Sequence, residues 1–180
     1  MAEAFDVPRE RAITPNRVQE KLIDDFMRLR ELLDYMELGK TLDWTQHIEL
    51  LQLVIFFSDI LYTDLVREGE KIKNALDWLD LYRTNKKEFA KTQHANWIVS
   101  YQLRGGSLDR VVIYSSYEAF QEDKREKEKA GRVVKDVLLV PSQKLLYVLG
   151  KIIILKGLEL GILGFKIVRR PRPIFKKIER

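Results

Sequence analysis

Apolar residues recur along the first part of the chain with helical spacing. Val18, Leu22, Phe26, Leu29, Leu33 and Met36 stand three or four positions apart, which places them on one face of a helix. Thr14-Pro15 supplies an entry, because the threonine hydroxyl can accept from free amides and proline is pre-set for the first helical position. Gly39 supplies the exit as a left-handed cap, with Lys40 beside the negative end. A second entry stands at Asp43, where Gln46 completes a capping-box pattern. In the helix that follows, Ile48, Leu51 and Ile55 fall on one side, and Leu50, Val54, Phe57 and Leu61 on another. A helix that is apolar on two faces is central. Gly69 ends it, and Ile72, Leu76 and Leu79 predict a third helix that fades near Thr84. Short connections between these helices predict an antiparallel bundle.

The period changes at Trp97. Trp97, Val99, Tyr101 and Leu103 alternate with polar or smaller residues, Arg104-Gly105-Gly106-Ser107 supplies a tight turn, and Leu108, Arg110, Val112 and Tyr114 alternate on the return. This predicts a β-hairpin. A two-residue loop at Gly105-Gly106 would set Tyr101 opposite Arg110 and Trp97 opposite Tyr114, all on one face. Ser115 with Glu118 then predicts a helix through Lys129, closed by Gly131, whose "EDKREKEK" run leaves little apolar surface. Arg132 to Val140 predicts a strand broken by Pro141. Lys151 to Leu155 and Leu158 to Leu163 predict two further strands turning at Lys156-Gly157. The expected class is α+β, with a helical bundle over residues 1–94, an α+β part carrying the hairpin over 95–168, and a basic C-terminal tail over 169–180. No internal repeat or low-complexity linker separates the halves, so they are expected to pack together.

The composition, 46% hydrophobic over 180 residues, suits a folded core. The absence of cysteine excludes disulfides and cysteine-ligated metal sites. Met-Ala-Glu-Ala-Phe-Asp at the start has no secretory pattern, so an intracellular, cytoplasmic setting is expected. Charged residues make up 33% of the chain, against about 25% in typical proteins, a lean toward thermophilic composition. The longest apolar-rich segment, Leu145 to Val168, is interrupted by Lys151, Lys156, Glu159 and Lys166. A membrane span needs about 20 mostly apolar residues, so none is expected.

Charge changes the picture at the C-terminus. From Lys151 onward the chain carries nine Lys or Arg against two Asp or Glu, leaving 23 against 25 in the preceding 150 residues. Lys166, Arg169, Arg170, Arg172, Lys176, Lys177 and Arg180 are therefore the candidate nucleic-acid-binding residues. Pro171 and Pro173 forbid a regular helix and set Arg170 and Arg172 about 6 Å apart on an extended path, near the phosphate spacing of an extended single strand. Arginine also suits phosphate through bidentate pairing. A solvated terminus is the plain alternative, although Ile174, Phe175 and Ile178 are large apolar residues for such an end.

Other candidate chemistry is thin. His47 and His94 lack the neighbouring carboxylate or cysteine pattern of a metal or catalytic site, and are expected at the surface or an interface. Asp109 followed by Glu122-Asp123-Lys124 has the letters of a metal-dependent nuclease, but the acid-x-lysine part falls on the charged helix, where paired surface charges explain it better. No glycine pattern cradles a nucleotide. Gly157 and Gly161 have GxxxG spacing around Glu159 and read as turns or strand kinks. No catalytic residue, metal ligand or cofactor is assigned. Trp97, Tyr101 and Tyr114 beside Arg110 are candidate stacking residues for unpaired bases, and the same rings fit equally the buried side of the hairpin, the reading we favour.

The leading functional expectation is a non-enzymatic accessory or assembly protein that docks in a larger complex and contacts nucleic acid through its basic tail. RNA is preferred over DNA because no duplex-reading pattern is present. The alternative is a structural subunit of a virion or other self-assembling particle, with the tail as an anchor between neighbours. A metal-dependent nuclease ranks third.

Overall fold

The computed structural model describes the backbone of residues 8–161 and the side chains from residue 17. The fold is α+β. The described helices are α1 (Pro8–Glu37), α2 (Trp44–Ile60), α3 (Tyr62–Leu65), α4 (Glu70–Thr84), α5 (Lys86–Phe89), α6 (Tyr117–Lys129) and α7 (Gln143–Glu159), with a 3-10 turn at Val66–Glu68. Strands β1 (Ala95–Leu103), β2 (Leu108–Tyr114) and β3 (Arg132–Pro141) form an antiparallel sheet in the order β2-β1-β3.

Helix α1 begins earlier than Thr14-Pro15, because Pro8 offers the same pre-set geometry about two turns upstream. Its apolar stripe is buried from Leu22 to Leu33, while Val18 is exposed. Gly39 closes it with φ 84°, its amide donating to the Met36 carbonyl. Helix α2 opens on the full capping box: Asp43 accepts from the Gln46 amide, and the Gln46 side chain accepts from the Asp43 amide. Leu50, Val54 and Phe57 are completely buried, as a central helix requires. Gly69, with φ 123°, ends the short α3 and 3-10 segments that follow α2, and α4 runs to Thr84.

Residues 151–159 correct the expected pair of strands, because they belong to α7, which packs on α1, α2 and α4; the end of the second expected strand, at 162–163, lies outside the described residues. Gly150 and Gly157, seven residues apart, lie where α1 presses closest. A Cβ at 150 would stand 2.8 Å from Leu33 Cδ2, and one at 157 would stand 2.8 Å from Phe26 Cζ. Gly157 is thus a helix-packing residue instead of a turn, while Gly161, with φ 74°, follows the helix end. These contacts set α1 and α7 antiparallel. Glu37 ties them further by accepting from Tyr147 Oη at 3.0 Å and pairing with Lys151. Arg28 grips Glu49 with two bonds of 2.8 Å, joining α1 to α2, and Arg83 pairs with Asp59 at 2.8 Å, joining α4 to α2.

The hairpin register is the expected one, with Tyr101 opposite Arg110 and Trp97 opposite Tyr114. The turn reaches it differently. The Leu103 amide donates to Ser107 and the Gly106 amide to Leu103, with Gly106 at φ 97°, so three residues, not two, form the loop. Gln102 then faces Leu108, and a bulge at Asp109 restores the pairing at Tyr101. Helix α6 is capped by Ser116 instead of Ser115: the Ser116 hydroxyl accepts from the Ala119 amide at 3.0 Å, and its extended backbone suits the position. The chain division at residue 94 falls where β1 begins, but α7 returns to the bundle, and buried residues of bundle and sheet form one continuous core.

Candidate functional site

Lys166, Arg169, Arg170, Arg172, Lys176, Lys177 and Arg180 lie outside the described residues. What the structure adds is the assignment of two other cations. Lys151 pairs with Glu37, and Lys156 with Glu68 and Glu159, so both belong to the folded body. Residues 162–180 then hold seven cations against Glu179 alone, a net +6, and the rest of the chain is left at −1.

The candidate stacking residues face α6. The Trp97 ring lies 5.7 Å from that of Tyr117, and the Tyr114 ring 5.3 Å from that of Phe120. Tyr101 is completely buried, and Trp97 and Tyr114 are nearly so. In this fold α6 covers the faces of these rings. Only the Arg110 side chain remains half exposed, drawn onto Asp109 at 3.1 Å. The hydroxyls form a relay: those of Tyr101 and Tyr114 are 2.6 Å apart, Tyr114 donates to Asp123 at 2.6 Å, and Lys127 donates to the same carboxylate at 2.8 Å. Burial and donation to Asp123 push the Tyr114 phenol far above its ordinary value, while Lys127 and then Tyr114 hold Asp123 below the usual carboxylate range.

Neither histidine behaves as a surface residue. His47 is completely buried. Its Nε2 lies 2.8 Å from the Pro141 carbonyl, which can only accept, so Nε2 carries the proton. Nδ1 then accepts from Gln143 Nε2 at 3.3 Å, and the same amide group bridges the Leu42 backbone. Burial lowers His47 below its ordinary 6.5, only partly offset by Pro141, and keeps it neutral. Sequence spacing could not reveal this node, because its partners are 94 and 96 residues away. His94 is half buried against Trp78, with ring centroids 4.8 Å apart.

The nuclease letters are also dispersed. Asp109 sits at the hairpin bulge and is held by Arg132 and Arg110. Asp123 is occupied as described, and Lys124 is on α6. Among the described residues no group of three or more acidic or histidine side chains could hold a metal, and no helix is long and apolar enough to cross a membrane.

A cleft of about 660 Å³ opens instead between α4, the sheet and the start of α7. Lys71, Asn74, Ala75 and Trp78 line it from one face of α4, His94 and Asn96 from the approach to β1 and β1 itself, and Lys144 from the first turn of α7. Sequence reasoning passed over all of these but His94. The one available signal was the 71, 74, 75, 78 spacing, which marks a helix face but not what stands opposite. Comparison with known protein families, with curated proteins and with solved structures yields no match.

Proposed function

We propose that this protein is a non-enzymatic accessory or assembly protein whose folded body docks in a larger complex, and whose C-terminal segment contacts nucleic acid, RNA in preference to DNA. The observation that carries this reading is charge segregation: +6 over residues 162–180 against −1 for all the rest. A slightly acidic body has no general attraction for phosphate, so affinity and its salt dependence would reside in the tail. Occupation of Asp109 and Asp123 by neighbouring cations and hydroxyls favours this over nuclease chemistry. A cytoplasmic ribonucleoprotein is the setting this reading implies.

The test is fluorescence anisotropy on labelled single-stranded RNA across a salt series, with the full chain and a chain ending before Arg169. If about four of the removed cations neutralise phosphates, the log–log salt slope falls by about 3 on single strands. An unchanged slope would sink the reading. Phe175 and Ile178 favour one rival, the anchoring arm of a virion or similar particle, and replacing both with Ser separates the two. An anchoring arm loses assembly, whereas a phosphate-binding arm keeps most of its RNA affinity.

A further inference from the structure

The cleft beside α4 has a composition that specifies a ligand more narrowly than its size does. Its volume of about 660 Å³ falls in the range of small-molecule sites. Two lysines, Lys71 and Lys144, line it, and none of its lining residues is acidic. Neither lysine is paired with a carboxylate among the described residues. The N-terminus of α7, a 17-residue helix capped by Ser142, adds the positive end of its dipole to the same wall.

One further feature points past a bare anion. Trp78 and His94, tilted at 46° with centroids 4.8 Å apart, give the cleft an aromatic wall. Asn96 lines it with a side chain only 8% exposed. Its Nδ2 donates to the Tyr114 carbonyl at 3.2 Å, which fixes the amide, yet its Oδ1 has no donor. That oxygen is sealed from the cleft, so Asn96 shapes the wall and offers a ligand no free acceptor.

We propose that this cleft binds a small aromatic anion, a planar ring carrying a phosphate, with Lys71, Lys144 and the start of α7 on the anion and Trp78 and His94 against the ring. The site stands at the first turn of α7, roughly 25 Å from the end of that helix at Glu159 at 1.5 Å per residue, and its described lining residues include none of the tail cations.

Isothermal titration of the full chain with the four common nucleoside monophosphates, their uncharged nucleosides and inorganic phosphate tests this. At least one monophosphate should bind saturably with one-to-one stoichiometry, and its nucleoside and inorganic phosphate at least tenfold more weakly. The double variant Lys71→Gln, Lys144→Gln alters only exposed side chains, and should lose at least tenfold in affinity with melting unchanged. Neutralising Arg169, Arg170 and Arg172 to Gln in the full chain should leave this binding as it was. The proposal is overturned if no monophosphate binds, if binding survives the double lysine variant, or if it disappears on neutralising the tail. None of these results bears on RNA binding by the tail, which the salt series reads separately.

Discussion

The two faces of the sheet are covered by opposite means. On one face, Ile98 and Ile113 meet a bundle whose central helix buries Leu50, Val54 and Phe57 completely. On the other, Trp97, Tyr101 and Tyr114 meet α6 alone, and Phe120 is the buried residue that this helix contributes. The bundle face is held by apolar area. The α6 face is held by rings from the sheet whose hydroxyls reach a charged helix, so that a helix nearly devoid of apolar residues can still cover a sheet. Cost of substitution should follow that division.

The largest effect is expected on the bundle face. Phe57 is fully buried and packs edge-on to Phe26, with centroids 5.8 Å apart. Phe57→Ala should destabilise by about 3–5 kcal/mol in denaturant unfolding. A near-unchanged midpoint would mean that α2 is not the centre of the core. On the α6 face, Tyr114→Phe keeps the ring but removes the donor to Asp123 and orphans the Tyr101 hydroxyl. A loss of about 1–3 kcal/mol is expected, smaller than for Phe57. The reverse order would refute the division into apolar and relay-held faces.

Between these in location lies the neutral node of His47, Gln143 and Pro141. Its histidine titrates below 6.5 in the fold and near 6.5 when unfolded. The unfolded chain therefore binds more protons in the window just below pH 6.5, and stability must fall as pH drops through it. Melting of the native protein should decline from pH 7 to pH 5, and His47→Gln should flatten that decline at a lower starting stability. Burial and the Lys144 charge lower His94 in the same direction, and the carboxylates held low by their partners add to the decline as pH nears 5, so a residual slope remains. Equal slopes in both proteins would remove His47 from the account.

Much of the architecture was legible because local signals agreed with it. The Asp43-Gln46 box, the glycine at 39, the alternation around Trp97 and the register at Tyr101 each follow from adjacent residues. Helix α7 was not legible as a helix. Its run of Ile152, Ile153 and Ile154 favours strand, and Gly150 and Gly157 look like punctuation until Leu33 and Phe26 of α1 are seen to occupy the space a Cβ would take. His47 and the cleft were hidden for a related reason, since their partners come from segments distant in the chain. The aromatic face was visible, but sequence alone could not choose between a partner base and α6 as its cover.

The smallest effect is expected at the rim, where neither means of covering the sheet operates. Asp109 lies at the hairpin bulge and binds Arg132 and Arg110, which hold its carboxylate below the usual range. The Asp109–Arg132 pair is partly shielded, while Arg110 is half exposed, so water and salt still reach the cluster and limit what its ion pairs contribute. Asp109→Asn keeps the size and one acceptor oxygen, so Arg132 retains a hydrogen bond while losing the charge. Melting at neutral pH should hardly move, and it should move less at high salt than at low. RNA affinity should also be unchanged under the tail-binding reading. A nuclease would behave differently, because an acidic residue that holds a divalent cation cannot be replaced by its amide without loss of turnover. Cleavage of RNA or DNA by the native protein, abolished by Asp109→Asn with the fold intact, would therefore revive the metal-dependent reading and make the rim, not the tail, the functional end of the hairpin.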